Sequence, residues 1–153
     1  MKRSPETRLE FSINPGDIFR LGDHRLACGD AKDKTLVDRL LLNQSVDLLL
    51  TDPPYAVALG AKFEDTSAAE VHRAIANDHL QSDEEYASFT RDWLMAVKSR
   101  LGKKNGAYIF NSDKMIFSLR EGMIRAGFKF AQMLIWVKTH SVIGRMDYLP
   151  QHE

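Results

Sequence analysis

A short apolar run that ends on a doubled proline constrains this chain more than any other feature. The run Val46–Thr51, Val-Asp-Leu-Leu-Leu-Thr, leads directly into Asp52-Pro53-Pro54-Tyr55. A nearly continuous apolar run of this length reads as a strand buried on both faces of a parallel sheet. The prolines stop it. Each fixes its own φ and pushes the residue before it toward extended geometry, so residues 52–55 form a stiff loop at the strand's carboxyl end. In open α/β sheets ligands bind there.

The neighbouring segments support such a sheet. Ile18–Leu21 and residues 25–28 flank Gly22-Asp23, a hairpin signal. Asp33 suits the N-cap of a helix over 34–42, with Leu36, Val37, Leu40 and Leu41 on one stripe. Residues 56–81 mix small and polar types and read as a long functional loop, with a possible helical turn over 68–75. Ser82-Asp83-Glu84-Glu85 fits a capping box, and Tyr86, Phe89, Trp93, Val97 and Leu101 then recur at helical spacing up to Gly102. Residues 106–111 read as a second buried strand. Asp113 is expected to cap a helix whose Ile116, Leu119, Met123 and Ile124 face inward until Gly127. Residues 128–137 are expected to form a final long strand, with Tyr108 and Trp136 in the core. This order predicts a three-layer, Rossmann-like α/β sheet with right-handed crossovers, preceded by a β-hairpin.

Composition narrows the function classes. A chain of 153 residues suits one domain. Twenty-one basic residues balance twenty-one acidic ones, so nucleic-acid contact has to come from a local patch and not from net charge. The lone Cys28 excludes an internal disulfide framework and is expected to pack at a buried strand end. The histidines lack metal-ligand spacing. No apolar run reaches membrane-spanning or signal-peptide form, so the expected location is the cytoplasm.

The tetrapeptide suits one chemistry. An exocyclic amine on a nucleobase is a poor nucleophile because its lone pair is delocalised into the ring. An ionised aspartate only accepts hydrogen bonds. Asp52 and the Pro53 carbonyl are therefore suited to grip the two amino hydrogens and localise the lone pair on nitrogen. Tyr55 offers a face on which a base can stack, worth about 1–3 kcal/mol per base. Such a grip requires the base to leave the duplex.

Residues 45–55, Ser-Val-Asp-Leu-Leu-Leu-Thr-Asp-Pro-Pro-Tyr, resemble motif IV of the S-adenosylmethionine-dependent DNA amino-methyltransferases. Cys28-Gly29-Asp30 resembles the family's motif III, whose acidic residue contacts the cofactor's adenine ring; this implies cofactor contacts from Gly29 and Asp30 as well as Asp52. Residues 135–138 (Ile-Trp-Val-Lys) with 144–148 (Gly-Arg-Met-Asp-Tyr) and 151–153 (Gln-His-Glu) resemble the segment around motif VIII. The resemblance covers nearly the whole chain and is to bacterial and phage site-specific modification methylases whose catalytic region comes first. It implies an N-terminal β-ribbon over 1–28, an α/β core over 29–138 and, over 139–153, the start of a segment leading to target recognition. The Asp-Pro-Pro-Tyr form implies adenine N6 more often than cytosine N4, with double-stranded DNA as partner and Lys138 as a possible phosphate contact.

The family's glycine-rich Phe-x-Gly-x-Gly loop is not reproduced by any of the nine glycines. The chain is therefore expected to be the N-terminal part of a longer methyltransferase, its sheet incomplete, binding S-adenosylmethionine weakly and inactive alone, with an uncovered edge that favours dimerisation. Two alternatives stand beside this. The chain is a non-catalytic binding or interaction fragment, or it modifies cytosine N4, RNA or a protein glutamine; the last two acceptors pair more often with Asn-Pro-Pro-Tyr. The blander readings are a proline-rich turn at 52–55, a turn residue at Asp30, a solvated Lys138, and exposed histidines. Asn77-Asp78 resembles a polar pair in the family's loop after motif IV, without an assigned mechanism.

Overall fold

The computed structural model describes residues 12–58, 75–79 and 81–139. Two antiparallel strands open it, β1 (Ile18–Leu21) and β2 (His24–Ala27). Leu21 pairs with His24, so Gly22-Asp23 is a two-residue loop, and Gly22 takes φ +64° as such a turn requires. The Cys28 N–H donates to Asp17 O at 3.0 Å and the Gly16 N–H to Cys28 O at 2.7 Å, which extends the pairing past β2 and leaves Cys28 half-buried.

Helix α1 (Lys34–Leu41) begins where Asp33 predicts: its carboxylate accepts from the Thr35 and Leu36 amides. Leu36 is the buried residue of α1, and it approaches Gly29 so closely that a Cβ there would lie 2.3 Å from Leu36 Cδ2. Strands β3 (Val46–Thr51) and β4 (Leu101–Ile109) run parallel, joined through α2 (Asp83–Lys98). Ser82 and Glu85 complete the expected capping box at the start of α2. A 3-10 turn (Asp113–Met115) leads into α3 (Ile116–Arg125), which packs on α2. Helix α3 ends in a Schellman closure: the Phe128 N–H donates to Met123 O and the Gly127 N–H to Ile124 O, with Gly127 at φ +74°.

The core joins Tyr86, Trp93 and Leu94 of α2 to Leu119 and Met123 of α3, with Met115, Ala126 and Ala56. Leu49 of β3 and Ile109 of β4 pack against it from the sheet. Ser118 Oγ donates to Asp83 at 2.6 Å, and Arg125 forms a two-pronged ion pair with Glu84, so the first turn of α2 is fixed to α3.

Several expectations change. Strand β3 is buried on one face only: Leu49 faces the helices, while Leu48, Leu50 and Tyr108 lie more than half exposed on the other. Among the described residues β3, β4 and the helices on one side of them make two layers, and no described helix covers the outer face. Strand β4 starts at Leu101, earlier than 106, because its Gly102–Asn105 stretch bulges; Asn105 Nδ2 donates to Gly102 O at 2.7 Å across it. Residues 128–137 form no strand beyond a single bridge at Val137. Phe128 and Phe130 pack on the core, whereas residues 131–137 are exposed, with no ladder of hydrogen bonds to a described neighbour. Trp136 therefore lies outside the core at 58% exposure, its ring tilted against Phe110 at 5.9 Å. Asp113 is the first residue of the 3-10 turn and not its cap, a position taken by Ser112 without a side-chain bond. Ile124 is exposed because the α3 surface that meets α2 runs through Ser118, Leu119, Gly122 and Met123.

Candidate active site

The carboxyl ends of β3 and β4 lie side by side: Thr51 pairs with Ile109, and the Phe110 N–H donates to Thr51 O at 3.0 Å. Asp52 and Asn111 are thus the polar residues that emerge just beyond the paired strands. Asp52 is exposed, Pro53 is buried, and Pro54 and Tyr55 are half-buried. The carboxylate thus faces outward while the proline behind it anchors the loop. Tyr55 donates its hydroxyl to Asp52 Oδ1 at 2.5 Å. A carboxylate has roughly four lone-pair sites, so this bond orients Asp52 and leaves Oδ2 with acceptor capacity.

One side chain holds the loop from behind, and a second sets its surroundings. Tyr86, on the first turn of α2 and fully buried, donates its hydroxyl to Pro54 O at 2.9 Å, with Asn111 Oδ1 a second acceptor at 3.3 Å. A hydroxyl has one proton, and the shorter contact takes the greater share of it. The orientation of Asn111 is set by its other bonds, since Oδ1 accepts from the Ser112 N–H and Nδ2 donates to Met115 O. The Tyr86 hydroxyl is pushed up to about 12, chiefly by burial; the Asn111 bond opposes the shift, and the charges of Asp78 and Asp52 add to it.

Asp78, buried, closes the downstream side. Its carboxylate accepts from the Val57 N–H at 3.2 Å and its carbonyl from the Ala58 N–H at 2.6 Å. Ala56 and Ala58 both sit in the left-handed region, at φ 56° and 49°. That conformation costs a residue with a Cβ roughly 1–2 kcal/mol, and the Asp78 bonds offset it. This gives Asn77-Asp78 the mechanism that the sequence alone withholds: Asp78 binds the chain just after the tetrapeptide, and Asn77 O accepts from Gln81 Nε2 at 2.8 Å.

Asp30 lies in the turn entering α1. Its Oδ1 accepts from the Lys32 N–H at 2.9 Å, and Oδ2 pairs with Lys32 Nζ at 3.5 Å, leaving the carboxylate half exposed. Lys32 Nζ in turn lies over the Phe89 ring, 5.7 Å from its centroid, and Phe89 packs tilted on Tyr86. The Gly29-Asp30 turn thereby reaches the first turns of α2, the same helix that braces residues 52–55. Gly29 has a packing role, admitting Leu36. Lys138 follows Trp136, whose ring rests on Phe110 beyond the end of β4. An open groove between α1 and α2, bordered by Lys32, Lys34, Asp92 and Met95, includes none of the tetrapeptide. Residues 59–74, 80 and 140–153, with His72, His140, His152 and the 144–148 segment, lie outside the described residues, as do most of the expected 56–81 loop and its 68–75 turn. His24 and His79 are exposed. Among the described residues no cluster of histidine, cysteine and acidic groups has the makings of a metal site, and no helix is long and apolar enough to cross a membrane.

Sequence reasoning names Asp52, Tyr55 and Asp30 as candidates but does not reach the bond from Tyr86 to Pro54 or its contact with Asn111. Tyr86 reads as an ordinary core position of an amphipathic helix; a tyrosine in place of phenylalanine there is the only signal.

A strand-end loop that presents an anchored acid beside an aromatic face suits the grip on a planar amine-bearing ring. Residues 46–153 match the family model described as DNA methylase, of the N6/N4 methyltransferase type, and the chain belongs to that family. Among individual proteins it is similar to the Type II methyltransferase M.HinfI of Haemophilus influenzae, 28% identical over 128 residues, covering 82% of this chain and 35% of that protein. It is also similar to the Type II methyltransferase M.HpaI of Haemophilus parainfluenzae, 29% identical over 132 residues, covering 86% of this chain and 37% of that protein. The chain spans little more than a third of the length of these curated relatives.

Proposed function

We propose that the protein carrying this chain methylates the N6 amine of adenine in double-stranded DNA, in a site-specific manner, with S-adenosylmethionine as donor. The observation that carries this reading is the exposed Asp52 carboxylate, oriented by Tyr55 on a proline-stiffened loop at a parallel strand's end, in a chain of the DNA methylase family.

In this reading Asp52 Oδ2 accepts one hydrogen of the flipped adenine's amine and the Pro53 carbonyl accepts the other. Both acceptors withdraw the nitrogen lone pair from conjugation. Tyr55 supplies the stacking face. Pre-positioning and exclusion of water supply most of the acceleration, and no covalent intermediate on the protein is required. Asp30 fits the cofactor as an acceptor, being half exposed with lone pairs beyond those that Lys32 occupies; Gly29 keeps the backbone beside it free of a side chain. The cofactor, when bound, supplies an electrophilic methyl group. Lys138 is assigned to a DNA phosphate.

The test is the identity of the product. The protein as its gene encodes it is incubated with duplex DNA and methyl-labelled S-adenosylmethionine, and the DNA is digested to nucleosides. Label in N6-methyl-2′-deoxyadenosine supports the reading. Label in N4-methyl-2′-deoxycytidine keeps the enzyme class but overturns the assigned base, and label found only with RNA or protein acceptors overturns the DNA substrate.

A further inference from the structure

Building on that reading of residues 52–55, we propose that Tyr86 is a positioning residue for methyl transfer: its buried hydroxyl holds the Pro54 carbonyl and thereby sets where Asp52 and the Pro53 carbonyl meet the amine. The loop is fixed at three points. Upstream, Thr51 O accepts from the Phe110 N–H at 3.0 Å. Downstream, Asp78 accepts from the Val57 and Ala58 amides. Between them the Tyr86 bond to Pro54 O, at 2.9 Å, restrains the backbone of the tetrapeptide itself.

Little freedom then remains. The two prolines lock their own φ, and Pro54 also narrows the ψ of Pro53. Holding the Pro54 carbonyl therefore fixes the peptide planes on either side, including the Pro53 carbonyl that the mechanism needs. The holder is itself rigid: Tyr86 is fully buried, sits in the first turn of a helix closed by a capping box, and is tied to the neighbouring strand end through Asn111. Packing alone does not require this hydroxyl, since phenylalanine would fill the same volume and burying a hydroxyl is unfavourable unless it is bonded. Its acceptor is a backbone carbonyl of the reactive loop, 32 residues away in sequence.

The experiment replaces Tyr86 by Phe in the protein as its gene encodes it and reads two quantities. The first is amide hydrogen exchange at Val57 and Ala58, which reports how firmly the loop is held. The second is single-turnover methyl transfer to duplex DNA. Tyr86→Phe is expected to accelerate exchange at both amides and to slow transfer about 10–100-fold, the cost of slight misplacement of reacting groups. The DNA concentration giving half-maximal rate is expected to stay within about twofold, as for a group that acts on the transition state and not on binding. Met123→Ala, which loosens the same core from α3, serves as the stability control and is expected to change neither readout appreciably. Unchanged exchange and transfer in Tyr86→Phe, or equal effects from Met123→Ala, would overturn the proposal. If the unmodified protein methylates no DNA, the functional reading fails by itself; the exchange comparison then still decides whether Tyr86 holds the loop, with acceleration upholding that role and its absence overturning it.

Discussion

Tyr55 donates its hydroxyl to Asp52 Oδ1 at 2.5 Å, so the aromatic face and the carboxylate at the end of β3 are held as one unit. Their separate contributions can be divided by two substitutions. Tyr55→Phe keeps the face but frees the carboxylate, and a loss of about tenfold in transfer rate is expected, near the net worth of one hydrogen bond to a charged group. Tyr55→Ala also removes the stacking surface and should weaken binding of an extruded base by about 1–3 kcal/mol. Fluorescence of a DNA duplex carrying 2-aminopurine at the target position checks the second effect.

Burial of Tyr86 raises its hydroxyl from 10.0 to about 12. Below the unfolded value both states hold the proton and the shift is without effect on stability. As pH rises from 10.0 toward 12 the unfolded chain releases a proton that the folded one keeps. Stability should therefore fall across that window, by at most about 1.4 kcal/mol per pH unit. Ultraviolet difference titration should show one tyrosine ionising late and together with unfolding, and Tyr86→Phe should remove that late component.

The close contact of α2 and α3 depends on Gly122. A Cβ at this position would lie 2.5 Å from Ala87 O and 2.5 Å from Thr90 Cβ. Neither a backbone carbonyl nor a helix-borne β-carbon yields without moving a helix. Gly122→Ala is expected to destabilise the fold by about 1–3 kcal/mol, the usual range for overpacking. The midpoint of urea unfolding measures it.

Acid should loosen the same helix pair. The Arg125 guanidinium holds the Glu84 carboxyl below its usual range, as Lys34 and Arg100 do for Asp38, and the Ser82 amide does so for Glu85. A lowered folded value means that the stabilisation is present above the ordinary carboxylate range and is lost as pH falls through the lowered values. These groups are exposed and screened by water, so the loss should be gradual and weaker in high salt. Thermal midpoints recorded from about pH 5 to about pH 3 should decline, and Glu84→Gln should flatten part of that decline.

Much of this was legible in the sequence because it is local. Asp33, the Ser82–Glu85 pair and Gly22-Asp23 act on residues within a few positions, and each does in the structure what its spacing implies. The strand ending at Thr51 was likewise marked by its own apolar run and the prolines after it. What failed depended on distant partners. Residues 128–137 have strand composition, but a strand exists only where a neighbour supplies a ladder, and none among the described residues does. Tyr108 and Trp136 have core composition but lie on surfaces that no described element covers. Tyr86 meets Pro54 and Asn111 only through tertiary packing, which helical periodicity shows as burial and not as a bond.

The central claim is that Asp52 grips the amine that is methylated. The most direct measurement is incorporation of labelled methyl groups into duplex DNA by Asp52→Ala, made in the protein as its gene encodes it, with circular dichroism confirming an unchanged fold. The account predicts that N6-methyl-2′-deoxyadenosine disappears from the digested DNA while folding is retained. Methylation of adenine at an undiminished rate by the correctly folded variant would contradict it.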